Sequence, residues 1–187
     1  MYTYPYQILK KKLQADVTEL KEVDWFLRQY DSTSKDGKPM VADPGVYIEF
    51  PAEIELQQLG FKIQMADVEW TLHLVTTNVY ENDKRIEKVN ATDHAVIMDK
   101  IFRTLLNWSS KLSYLDAFSS LANTSNDQRV IGTIARVGIQ PPHMLKSLMV
   151  TKQRFKCVIY DHAANPVVQT QMNVPLQINS VVKVPLP

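Results

Sequence analysis

The side chains able to do chemistry in this chain are few, and their spacing does not match catalytic motifs. Four histidines are present: His73, His94, His143 and His162. A protein metal site needs imidazoles, thiolates or carboxylates that converge, often as HxxxH or HExxH on one helix face, and none of the four has such a neighbour. His73 alternates onto the polar side of a strand pattern. His94 falls in the first turn of a helix pattern. Both positions place a histidine at a surface or an interface. Asp93 and His94 are consecutive in a helical stretch, so their side chains diverge and form no acid–base dyad. The single cysteine, Cys157, allows no internal disulfide and lies inside the strand pattern RFKCVIYD, where it reads as a buried, inert thiol. The carboxylate pairs Glu53/Glu55 and Glu81/Asp83 lie in polar stretches of the kind that form solvated faces. Lys10, Lys11 and Lys12 are able to touch phosphates, or simply to solubilise a helix exterior. There is no GxSxG, P-loop or GxGxxG, and five glycines leave little room for a phosphate-cradling loop. This reads as a chain that is not an enzyme, with no catalytic residue, no metal and no cofactor.

The totals agree with a soluble globular domain. With 187 residues, 45% of them hydrophobic and 22% charged, the chain can bury a core as one domain with an extension. A formal net charge of +1 provides no strong field for nucleic acid or an anionic membrane. The start MYTYPYQILKKK has no apolar stretch after a basic one, which argues against a secretory signal. No apolar run approaches the roughly 20 residues of a membrane span. A cytoplasmic protein without a membrane partner is expected.

The elements follow from periodicity. Leu9, Leu13, Val17, Leu20 and Leu27 recur at helical steps, predicting an amphipathic helix over residues 6–30, opened by Pro5. Alternatively, VDWFL begins a short strand near residues 23–25. The cluster DSTSKDGKPMVADP, residues 31–44, reads as an exposed loop. Val46, Ile48 and Phe50 alternate in a first strand, ended by Pro51. In ADVEWTLHLVTT, Val68, Trp70, Leu72 and Leu74 share one face, and Glu69, Thr71, His73 and Val75 the other. This long strand starts as early as Phe61. Asn82-Asp83 is a turn candidate. Thr92 or Asp93 caps a second helix, over residues 93–111, with Ala95, Met98, Ile101, Phe102, Leu105 and Leu112 as its stripe and Trp108 beside it. A helical turn is possible within residues 115–121. A third strand, residues 130–139, is weakened by Gly132 and Gly138 and stopped by Pro141-Pro142. A fourth, residues 148–161, alternates Phe155, Cys157 and Ile159 against Arg154, Lys156 and Val158. The expected fold is α+β: a mixed or antiparallel sheet of about four strands, with two amphipathic helices on one face. Residues 1–161 form this domain. Residues 162–187, with one charge and four prolines, form an extended C-terminal arm that pairs with a sheet, or else a disordered tail.

One order of motifs has a known counterpart. A helix leads to Trp25 and Gln29. A strand of the form Pro-x-Val-φ-Ile-Glu-Phe follows at Pro44, Val46, Tyr47, Ile48, Glu49 and Phe50. Then come Gln64, Ala66, Asp67 and Val68, the strand end His73-Leu74-Val75-Thr76, a capped helix, and a late strand closing on Tyr160-Asp161. Over residues 7–161 this resembles phage tail terminator (tail completion) proteins, most closely those of phages and prophages of Bacteroides-type bacteria. Residues 112–143 match weakly, and the stretch after Asp161 is longer than in a minimal terminator.

The resemblance implies a non-catalytic virion protein, assembled in the host cytoplasm. Such a protein forms a homo-oligomeric ring, a hexamer or dodecamer, at the head–tail junction or the end of the tail tube. Tail-tube, neck or portal proteins would be its partners, and viral DNA would pass through the lumen without specific binding. A connector or neck ring subunit of a short-tailed, crAss-like virion is the close alternative. A small adaptor that binds proteins through a sheet edge, and an enzyme with a spatially assembled site, are the other classes. By position on strands and loops, the subunit interface is expected at Lys10, Lys11, Lys12, Glu49, Glu69, His73, Pro166, Val168, Val174, Leu176 and Ile178.

Overall fold

Pro5 sits in the first turn of helix α1, Thr3–Asp16, where no intrahelical partner is needed for its missing N–H. Ile8, Leu9 and Leu13 are the buried stripe of that helix. The computed structural model describes residues 2–30, 41–60, 63–77, 80–81, 84–85, 91–116, 119, 128–145 and 148–162. The predicted helix over 6–30 is corrected here. Val17 leaves helical geometry, its N–H still bonding Leu13, and strand β1, Glu22–Trp25, follows. The alternative reading of VDWFL is therefore the one realised. Val23 is buried, and β1 pairs in parallel with β2, Gly45–Glu49, so tertiary pairing overrides the helical spacing. Leu20 still packs against the core, but Leu27 is 74% exposed.

Two long strands form the spine of the sheet. Strand β4, Ile63–Thr77, pairs antiparallel with β10, Leu148–Asp161, over the whole of β10. Shorter strands flank them. On the β4 side lie β2 and β3, the latter spanning Gln57–Gly60. On the β10 side lie β8, Arg129–Ile131, and β9, Ala135–Leu145. Strand β7, Ser110–Lys111, pairs with β8. Among the described residues the mixed sheet thus has eight strands where about four were expected. The extra ones are two to four residues long, too short to show a period. A separate pair, β5 (Tyr80–Glu81) and β6 (Lys84–Arg85), flanks residues 82 and 83, which lie outside the described residues.

The third expected strand, over 130–139, is in fact two. Gly132 donates its N–H to the Val158 carbonyl at 2.8 Å, and a Cβ there would lie 3.3 Å from that of Val158, so this crossing suits glycine. Nor does Pro141-Pro142 stop β9. The register steps from Gln140↔Lys152 to His143↔Val150, which leaves both prolines opposite Thr151 alone. A bulge tolerates residues without an N–H.

Helix α2, Ala91–Leu105, is shorter than the predicted 93–111. It begins at Ala91, so Thr92 and Asp93 lie within its first turn rather than capping it. At its other end Asn107 adopts a left-handed φ of 59°, a common helix stop for asparagine. The Asn107 N–H bonds the Ile134 carbonyl, and the Ile134 N–H bonds that of Trp108, both at 2.9 Å. A 3-10 turn follows at Leu112–Tyr114, ahead of the helical turn expected within 115–121, most of which lies outside the described residues. The buried stripe of α2 is His94, Ile97, Ile101 and Leu105, with Met98 and Phe102 at its border, while Ala95 is exposed.

Both helices cover the same sheet face, as expected. Their stripes enclose Val68, Trp70, Leu72, Leu74, Phe155, Cys157 and Ile159, with Trp70 stacked on Phe155 at 4.9 Å. Cys157 is buried, and burial pushes its thiol up to about 11, so the inert-thiol reading stands. Among the described residues no helix is long and apolar enough to cross a membrane.

Candidate functional site on the outer sheet face

The face turned away from the helices gathers polar side chains from three strands. Register places Lys152, Arg154 and Lys156 of β10 opposite His73, Thr71 and Glu69 of β4. On the other side, Tyr47 and Glu49 of β2 oppose His73 and Thr71. Arg154 pairs with Glu69 at 2.9 Å and Lys156 with Asp67 at 3.2 Å. Gly138 of β9 makes room here, since a Cβ at that position would lie 2.8 Å from the Arg154 guanidinium. Glu49, Lys152 and Arg154 share a shallow groove of about 390 Å³ with Ile139 and Pro141 of β9.

His73 departs from its expected surface position: it is fully buried. Residues 26–30 cross over it. Phe26 stacks on its ring at 4.1 Å, and the Tyr30 hydroxyl lies 2.8 Å from Nδ1. Glu49 Oε2 lies 2.8 Å from Nε2. A carboxylate only accepts, so Nε2 carries the proton, and in the neutral imidazole Nδ1 accepts from Tyr30. The crossing segment is itself braced. Gln29 accepts the Leu27 N–H at 2.7 Å and donates to the Trp25 carbonyl, around Arg28 at a left-handed φ of 60°. Trp25 and Gln29, two residues of the family-like pattern, are thus the two ends of one turn closure.

The Tyr30–His73–Glu49 row is buried at its phenol and imidazole and ends in a half-exposed carboxylate. Nδ1 ties Tyr30, and with it residues 26–30, to the sheet, while Nε2 ties β4 to Glu49 of β2. Tyr30→Phe, which removes the hydroxyl that Nδ1 meets in a buried site, is expected to cost about 1–3 kcal/mol. Glu49→Gln, which still presents an amide oxygen at the exposed end, is expected to cost under about 1 kcal/mol. Denaturant midpoints check this, and equal losses would contradict the assigned proton positions.

The remaining expected residues are dispersed. Glu69 shares the outer face with Glu49. Lys10, Lys11 and Lys12 lie in the helix layer. Lys10 approaches Tyr6 and Asp24, Lys11 bonds Asp116 and the Tyr114 carbonyl, and Lys12 bonds Asp16. Pro166, Val168, Val174, Leu176 and Ile178 lie outside the described residues, as does the whole arm beyond His162. His162 is buried, its Nε2 donating to the Arg129 carbonyl at 2.7 Å. His94 also departs from a surface role: it is fully buried between Thr76 and Thr151. Among the described residues no group of three or more histidine, cysteine, aspartate or glutamate side chains converges as metal ligands. Lys152 and Arg154 were legible from strand alternation. Phe26 and Tyr30 were not, because their function depends on an irregular crossing.

Compared with known protein families and with characterised proteins, this chain matches none.

Proposed function

We propose that this chain is a structural virion protein. It forms a homo-oligomeric ring at the head–tail junction or the end of a tail tube, without catalysis. The observation that carries the reading is the placement of exposed apolar side chains at opposite edges of the sheet. Leu56 and Leu59, 43% and 55% exposed, lie at β3, beside one end of β4. Val137, Ile139 and Met144, 44–49% exposed, lie on β9, across the sheet and toward its other end. Two different patches on opposite edges suit a head-to-tail contact, which closes into a ring when the rotation allows. Two self-complementary copies would need only one patch. The ion-paired, near-neutral outer face fits a contact surface better than a reaction site. Tail-tube, neck or portal proteins are the partners of this reading, and a connector or neck ring of a short-tailed virion shares it.

The absolute mass of the full chain, by light scattering or native mass spectrometry over a wide concentration range, tests the proposal. A discrete multiple such as six or twelve is the expected result. A species that stays monomeric alone and in the presence of tail tubes would overturn it.

A further inference from the structure

Strand β9 forms an open edge of the sheet. Among the described residues it pairs with β10 alone, and along Ala135–Gln140 every residue but Gly138 is exposed. The outward N–H and C=O groups of such an edge are a template for a further strand. Pro141-Pro142 closes the run, because proline offers no N–H. The helix layer reaches this edge and leaves apolar surface beside it. The Arg136 guanidinium lies 3.7 Å from the Phe102 ring centre, and Leu106, one turn further along, is 39% exposed.

The chain contains a segment of matching kind. In Val168–Val174, VQTQMNV, the residues Val168, Thr170, Met172 and Val174 alternate with Gln169, Gln171 and Asn173, and Pro175 ends the run. The segment has seven uncharged residues and one apolar face, against six residues of open edge. It lies outside the described residues, but its root does not. His162 is buried and bonded to the Arg129 carbonyl. Register sets Gln58 of β3, Gln64 of β4 and Asp161 of β10 in one row. The root therefore stands about 10 Å from β3, two strand spacings away.

Reach decides whose edge the segment meets. The six steps from His162 to Val168 span at most about 20 Å. The nearest point of the chain's own edge is Ala135, which pairs with Lys156. A strand outside it lies about 20 Å back along β10 and about 10 Å across, too far for a linker that must also turn. In the ring reading the β3 patch of one copy meets β9 of the next, which brings that neighbour's edge to the root.

We propose that residues 168–174 of each copy add a strand to the β9 edge of its neighbour, at Ala135–Gln140. Val168, Thr170, Met172 and Val174 turn toward Phe102 and Leu106 of that neighbour. The inference rests on the ring reading and gives it a second contact: the β3 patch meets side chains of β9, and the arm meets its backbone. Main-chain pairing supplies the affinity of such an added strand, and its alternate side chains supply the specificity.

The test is thiol cross-linking of the full chain carrying Val137→Cys and Gln171→Cys together, with a short bismaleimide. These positions are central to the edge and to the segment, so they meet in either strand direction, and the buried Cys157 stays silent. A ladder of covalent multimers is the expected result. Adding Gln169→Pro and Thr170→Pro removes an N–H on each side of the new strand and is expected to cut the ladder about tenfold. Val181→Pro with Val182→Pro, beyond Pro175, is the control and leaves the ladder unchanged. The mass of the uncross-linked chain separates this inference from the ring reading. A discrete ring without a ladder overturns the arm alone, and a chain that stays monomeric under all conditions overturns both. A cross-link confined within single chains, or a ladder indifferent to the Gln169→Pro and Thr170→Pro pair, also overturns the arm.

Discussion

Leu59→Lys and Ile139→Lys are each expected to abolish assembly, whereas an equimolar mixture of the two is expected to form a discrete dimer. The ring reading requires a heterologous contact, in which the β3 patch of one copy meets the β9 patch of the next. Each substitution places an ammonium where an apolar side chain would be desolvated, and an unpaired charge there is strongly unfavourable. Leu59→Lys spoils only the first patch and Ile139→Lys only the second. A mixture therefore retains one intact pairing, between the β3 patch of the Ile139→Lys chain and the β9 patch of the Leu59→Lys chain. That complex has no further good edge and stops at two. Both side chains are 44–55% exposed in the single chain, so folding should change by no more than about 0.5 kcal/mol. Sedimentation velocity or native mass spectrometry reads the outcome. Assembly that survives either single substitution, or a mixture that stays monomeric, would remove this interface.

The second large effect concerns acid stability, and it centres on His94. Its Nδ1 lies 2.8 Å from the Thr76 hydroxyl on β4 and its Nε2 lies 2.7 Å from the Thr151 hydroxyl on β10. The imidazole thereby pins the first turns of α2 across the two spine strands. Burial pulls its pKa down from 6.5 to about 4. Between those values the unfolded chain takes up a proton that the folded chain does not. Stability is therefore full above about pH 6.5 and falls as pH drops toward 4. The total loss is about 3 kcal/mol. His94→Gln keeps a donor and an acceptor but does not titrate. At pH 7.5 it is expected to be less stable than the natural chain by about 1–3 kcal/mol, through imperfect packing and hydrogen bonding. That deficit should shrink on acidification and vanish or invert near pH 4. Urea unfolding at a series of pH values checks it. Parallel stability curves for the two proteins would show that His94 is not the group responsible.

These two cases show how far local pattern reaches in this chain. Period-two alternation in ADVEWTLHLVTT and in residues 148–161 was enough to find β4 and β10, because each has one face wholly committed to the core. The layering followed from the same fact, since two amphipathic helices and one apolar sheet face have a single economical arrangement. Histidine was misjudged twice for one reason. Alternation assigned His73 to the outer face correctly, and the spacing of α2 placed His94 in its first turn, but exposure depends on what crosses over a face. Residues 26–30 seal His73, and the β4–β10 spine seals His94. Helix α1 was overextended because Val17, Leu20 and Leu27 keep helical spacing, while the parallel partner that captures β1 lies some twenty residues further along the chain.

The sequence by itself determined the α+β class, the two spine strands, the helix-covered face and the inert Cys157, all of which depend on near-neighbour periodicity and on hydrophobic burial. Only the tertiary structure decided the eight-strand sheet, the break between β8 and β9, the proline bulge and the burial of both histidines. Those outcomes depend on register between segments distant in sequence, where hydrogen-bond pairing and packing are settled by partners that no local pattern encodes.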